Sequence, residues 1–91
     1  MLFEWNETKR QRNLLKHGFD FADCARVFAG TVVTTLDDRF DYRELRLTAF
    51  GFLGNRVVAI SFTPIDEVIR IISMREATRH EQAFFFSHFK D

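Results

Sequence analysis

The chain has 91 residues, 46% hydrophobic and 29% charged, the balance of one globular domain over 1–91 rather than of a disordered segment. Thirteen Lys and Arg against thirteen Asp and Glu leave no net charge, so a case for nucleic-acid binding has to rest on local clusters. The single Cys24 excludes an intramolecular disulfide, no apolar run nears the ~20 residues that cross a bilayer, and MLFEWNETKRQR has no secretory h-region, so a cytoplasmic protein without membrane contact is expected. Twelve Phe are many for a core this small. Some should lie at the surface, where a partner or self-association as a homodimer or hetero-oligomer would cover them.

Asn6 is placed to cap a helix over 7–17, ETKRQRNLLKH, and Gly18 stands where a left-handed glycine would end it. Glu7 faces Lys9, Arg10, Arg12 and Lys16, so the helix is basic, and with Leu14 and Leu15 as its apolar anchors it belongs on the surface. Asp20 can cap a second helix in which Phe21, Cys24, Ala25 and Phe28 repeat at i, i+3, i+4, i+7 before Gly30. That stripe is a core face, and on it Cys24 reads as a buried thiol.

The β-branched run TVVTTL over 31–36 predicts a strand, DDRFDYR a charged turn, and 43–53 a second strand with Leu45, Leu47 and Ala49 facing the core and Glu44, Arg46 and Thr48 facing solvent or a ligand. Gly54-Asn55 has hairpin spacing and returns the chain into a third strand over 56–63. Pro64 with Asp66-Glu67 makes the next turn, and VIRIISM over 68–74 is a fourth strand. Strict alternation puts Arg70, Ile72 and Met74 on one face of it and Ile69, Ile71 and Ser73 on the other. Thr78-x-x-Glu81 is a capping box opening a last helix, EQAFFFSHFK, with Phe85 and Phe89 stacked at i, i+4 beside Phe84 and Phe86. The expected class is α+β, with two N-terminal helices, a four-stranded antiparallel meander, a C-terminal helix, and room for a short extra strand at 2–4.

Phosphate loops, nucleophile elbows and dinucleotide fingerprints are absent from the sequence. His17, His80 and His88 lack the spacing of a zinc site, so neither metal nor cofactor is expected. The prominent chemistry is cationic: Arg70 on the last strand, Arg75 where it ends, and Arg79 in the first turn of the following helix, with His80 alongside. Guanidinium forks and a helix N-terminus would hold an anion there. The alternative is a solvated face with ion pairs to Asp37, Asp38, Asp41 or Glu44. In Lys16-His17-Gly18 the imidazole is either a general acid or base or a charge that stabilises the helix C-terminus. Trp5 is either a packing anchor or a partly exposed stack for a nucleobase.

The stretches FEWNETKRQRNLLKHGFDFADCARVF, DDRFDYRELR, GFLGNRVVAISFT and IRIISMREATRHE resemble, in this order and over nearly the whole chain, those of the BrnT toxin family. The resemblance implies a RelE-like fold and a ribonuclease that halts translation. It also implies a cognate BrnA-like antitoxin that carries the DNA-binding module, so that DNA is reached only through the complex. Glu76 stands where the family commonly has a basic residue, and Phe62 where a Tyr is frequent. On this reading RNA is cut without metal by attack of its own 2′-hydroxyl. Arg70, Arg75 and Arg79 bind phosphate and stabilise the transition state, His17 moves a proton, and Lys9, Lys16, Arg39 and Trp5 contact RNA. Phe84, Phe85, Phe86 and Phe89 then form the antitoxin interface. Two other readings stay open: a non-catalytic interaction module, and a degenerate toxin acting only as co-repressor with a DNA-binding antitoxin.

Overall fold

The structure is a computed structural model and describes residues 1–38 and 43–89. A short β1 (Leu2–Glu4) leads into α1 (Glu7–His17), and a 3₁₀ turn over Phe21–Asp23 runs directly into α2 (Cys24–Phe28). Strands β2 (Val32–Leu36), β3 (Leu47–Leu53), β4 (Arg56–Ile65) and β5 (Val68–Glu76) follow, and α3 (Arg79–Ser87) completes the order. All strands join one sheet in the order β1-β5-β4-β3-β2. From β2 to β5 this is the antiparallel meander that the hairpin signals predict. The four-stranded expectation is corrected by β1, which adds a fifth strand parallel to β5, with Phe3 opposite Ile69 and Glu4 opposite Arg70. Three residues suffice for this strand because Phe3 and Ile69 pack together against the core.

Local signals place most of the element ends. Asn6 accepts from the Lys9 amide at 3.0 Å, and Gly18, at φ 76°, donates to the Leu14 carbonyl at 2.9 Å. Thr78 and Glu81 form the reciprocal capping box of α3, which begins at Arg79, two residues earlier than the apolar pattern suggests. The second strand begins at Leu47 rather than Arg43, which leaves Leu45 outside the sheet and exposed. Pro64 lies within β4 opposite Ile69, where pairing to β3 has already ended at Phe62 and a missing N–H is tolerated. The turn itself is Asp66-Glu67, with Asp66 in the left-handed region at φ 54°.

The sheet separates two cores. Phe21, Cys24 and Val27 meet Ala49, Val58, Ile60, Phe62, Ile71 and Met74 on one face, while Phe50, Val57, Ala59, Ala77 and Phe85 pack under α3 on the other. The continuous apolar run in β4 is therefore buried on both sides. Phe85 is completely buried, which corrects its assignment to a partner surface: α3 uses it to dock on the sheet, whereas Phe84, Phe86 and Phe89 remain 40%, 47% and 46% exposed.

Leu14 and Leu15 do not anchor α1, being 39% and 89% exposed. The helix is held instead by buried Asn13, whose carboxamide donates to the carbonyls of Phe19 (3.0 Å) and Met74 (2.8 Å) and accepts from the Met74 amide (3.1 Å). Asn13 thus pairs the outer edge of β5 as a strand would, just past the point where β1 ends. A second tie is the Arg10–Asp20 fork, at 2.7 and 2.9 Å. Among the described residues no helix is long and apolar enough to cross a membrane.

A β-bulge decides the faces of β5. Ser61 pairs with Ser73 but Phe62 pairs with Ile71, so Ile72 is the extra residue. Ile71 and Met74, three apart, consequently enter the same core, in place of the strict alternation expected from the sequence. The same bulge sets Arg70 opposite Thr63 and Arg75 opposite Ala59, two odd positions of β4, so both arginines leave the α3-side face. Five residues apart in an unbroken strand, they would have pointed to opposite sides.

Candidate active site

The basic residues gather along the outer edge of β5. Lys9, Arg12, Asn13, Lys16 and His17 recur at i, i+3, i+4, i+7 and i+8, one face of α1. With Ile72 and Ser73 they line an open groove of about 310 Å³. Lys9 also borders a second cavity, of about 370 Å³, with Glu4, Trp5, Asn6 and Arg70. The two cavities share Lys9, so a cationic track runs from Arg70 past Trp5 and Lys9 to Lys16 and His17. Of the two clusters singled out in the sequence, Arg70 meets the α1 cations, 61 residues from Lys9 along the chain, because β5 and α1 lie side by side.

His17 sits in the last turn of α1 and is partly buried. Burial holds its imidazole below the ordinary value of 6.5, and the charges of Lys16 and Arg75 push the same way. It is therefore neutral at pH 7 and able to accept a proton in the midst of cations that favour an anion. Arg75 acts on it through the sheet, its own side chain lying on the α3-side face in a cavity with Thr35, Asp37, Thr48, Phe50 and Glu81.

The two β5 arginines differ in their partners. Arg70 donates through Nε to Glu4 Oε1 at 3.0 Å, with both side chains nearly half exposed. Arg75 grips Glu81 with both Nη atoms, at 2.7 and 2.9 Å, in a less exposed setting. The Arg75 guanidinium is the main reason that the Glu81 carboxyl is held down at about 2. Glu81 also accepts from the Thr78 amide at 2.8 Å, so Arg75 is tied to the first turn of α3. Glu4 and Glu81 were not among the carboxylates that the sequence suggested, whereas Asp37, which was, lines a cavity together with Arg75 and Glu81.

Arg79 is exposed at the start of α3 and lines neither cavity of the track, so the structure does not bring it to Arg70. Arg39, expected to contact RNA, lies outside the described residues. Trp5 combines its two sequence readings, packing on the core edge-on to Phe21 at 6.4 Å while lining the cavity with Arg70. Sequence reasoning missed Arg12, Glu4, Asn6 and Asn13 as parts of the site. Helical spacing from Lys9 and Lys16 could have found Arg12. Glu4 had no signal, because its role depends on the parallel register with Arg70.

Burial pushes the Cys24 thiol up to about 11, which makes it an inert core group. Glu76 pairs with Arg56 at 2.8 Å, and Phe62 is buried in the core with Phe21, Cys24 and Val27 and does not line the groove. Among the described residues no three His, Cys, Asp or Glu side chains are grouped to hold a metal ion.

No curated protein matches the chain. A family model described as "Ribonuclease toxin, BrnT, of type II toxin-antitoxin system" matches residues 5–81. The matched span runs from Trp5 in the first cavity to Glu81 beneath Arg75 and takes in the whole groove along α1 and β5, so the chain belongs to the BrnT family of ribonuclease toxins of type II toxin–antitoxin systems.

Proposed function

We propose that the protein is a metal-independent endoribonuclease, a single RelE-like domain that blocks translation by cutting RNA in the cytoplasm. The observation that carries this reading is the groove along β5, where the neutral imidazole of His17 stands among Lys16, Arg12 and Lys9. The 2′-oxygen attacks the adjacent phosphorus and its proton passes to His17. The P–O5′ bond breaks, and the departing 5′-oxygen takes a proton from Lys16. The products are a 2′,3′-cyclic phosphate and a 5′-hydroxyl. Arg12 and Lys16 stabilise the charge of the phosphorane, with Arg75 adding its field from behind the strand. Lys9 and Arg70 track the flanking phosphates and Trp5 stacks a base, while Arg79 makes a more peripheral phosphate contact.

The same reading assigns Phe84, Phe86 and Phe89, with the 43% exposed Phe52 beside Phe86 at 5.9 Å, to a BrnA-like antitoxin. That partner carries the complex to DNA. The test is direct. Purified protein in excess EDTA should cut RNA to fragments ending in 2′,3′-cyclic phosphate, and Lys9→Ala with Arg70→Ala should abolish cutting without changing thermal unfolding. Intact RNA after incubation with the wild-type chain, together with normal growth of bacteria expressing it without antitoxin, would sink the reading.

A further inference from the structure

Resting on that reading, we infer that the cavity bounded by Glu4, Trp5, Asn6, Lys9 and Arg70 holds one nucleobase of the RNA and selects guanine, with Glu4 as the residue that reads it. At about 370 Å³ the cavity falls at the lower end of the range for small-ligand pockets, a size suited to one nucleotide. Trp5 is anchored on the core and set edge-on to Phe21, so it offers a fixed aromatic surface for stacking, which by itself is indifferent to base identity. Lys9 and Arg70 supply cations for the phosphates on either side.

Glu4 is the feature that a simple phosphate track does not explain. Among the residues lining the two cavities it is the acidic one, and it repels phosphate. Its Oε1 accepts from Arg70 Nε at 3.0 Å, which orients the carboxylate. A carboxylate has about four acceptor positions, so Oε2 and part of Oε1 are still available. Guanine presents adjacent N1–H and N2–H donors on its Watson–Crick edge, matching the two oxygens. Adenine, cytosine and uracil each place at least one acceptor against them. Asn6 completes the match: it is exposed and lines the same cavity, and with its Oδ1 committed to the Lys9 amide at 3.0 Å its Nδ2 is the group left to donate to guanine O6.

Trp5 is the one tryptophan of the chain, so its fluorescence reports this cavity. Titration with the 3′-monophosphates of guanosine, adenosine, cytidine and uridine should show guanosine monophosphate binding at least about tenfold more tightly than the others, with inosine monophosphate, which lacks the N2 amino group, in between. Glu4→Gln should shrink the guanine preference to within about twofold while adenosine monophosphate binds as well as before or better. Equal binding of the four nucleotides to wild type, inosine matching guanosine, or an undiminished preference in Glu4→Gln would each refute the assignment. The readout is independent of cleavage. Guanine preference without RNA cutting would keep this site and remove the nuclease reading, and cutting without base preference in the titration would do the reverse.

Discussion

Arg70 and Arg75 leave the same face of β5, on either side of the Ile72 bulge, and end in different surroundings. Arg70 makes one contact to an exposed Glu4 and opens onto a cavity that also holds Trp5 and Lys9. Arg75 is clamped by both Glu81 oxygens, beneath the helix that Glu81 caps. A guanidinium with a single half-solvated partner can exchange it for a phosphate at little cost, whereas one in a partly buried fork is structural first. Residue type and strand position are the same for both, so the partner decides the role.

The largest test bears on both arginines at once. Asn13→Leu removes the carboxamide that holds α1 to the β5 edge, leaves the Met74 amide and carbonyl unmet, and should cost about 3 kcal/mol in chemical denaturation. If stability drops by less than about 1 kcal/mol, α1 is held by other means. Next, Arg70→Ala should lower the RNA cleavage rate about a hundredfold with no resolvable change in unfolding midpoint. Arg75→Ala should do the opposite in proportion, costing about 1–2 kcal/mol of stability by stranding Glu81, a figure reduced for partial exposure. Matching stability profiles for the two variants would erase the distinction drawn between them.

Acid should expose the same difference more gently. Because the Glu81 carboxyl is lowered from 4.5 to about 2 in the folded chain, its contribution is complete above pH 4.5 and is lost as pH falls from there through about 2. Glu81→Gln should flatten that part of the stability curve. The smallest expected effect concerns His17. Its lowered pKa means that the acid limb of cleavage is displaced below the ordinary imidazole value. Arg75→Ala, or Lys16→Ala, should move the limb upward in pH, since each cation helps hold His17 neutral. Arg70→Ala should leave its position alone, and an equal movement there would place His17 nearer Arg70 than the structure has it.

Much of the fold was legible beforehand. The Asn6 cap, the Gly18 stop, the Gly54-Asn55 hairpin and the Thr78–Glu81 capping box each involve residues a few positions apart, and each appears where the sequence predicts it. The basic stripe of α1 was legible for the same reason, because helical periodicity is local. Buried Phe85 beside exposed Phe84 and Phe86 was not, since neighbouring identical residues on a short helix are told apart only by the sheet beneath them. The anchor of α1 was not legible either, because apolar Leu14 and Leu15 suggest one by residue type, while the actual anchor is a polar side chain pairing a strand edge.

The sequence by itself determined the residue types of the candidate surface, a row of cations on a capped helix and arginines on the last strand, since charge and periodicity are properties of the chain. Which of those arginines opens onto the cavity beside Trp5 and Lys9 was decided only in three dimensions. The bulge at Ile72, the Asn13 bridge to Met74 61 residues away, and the Glu4–Arg70 pair across 66 residues are contacts between distant segments. Their geometry comes from strand register and edge pairing, to which local propensity is blind.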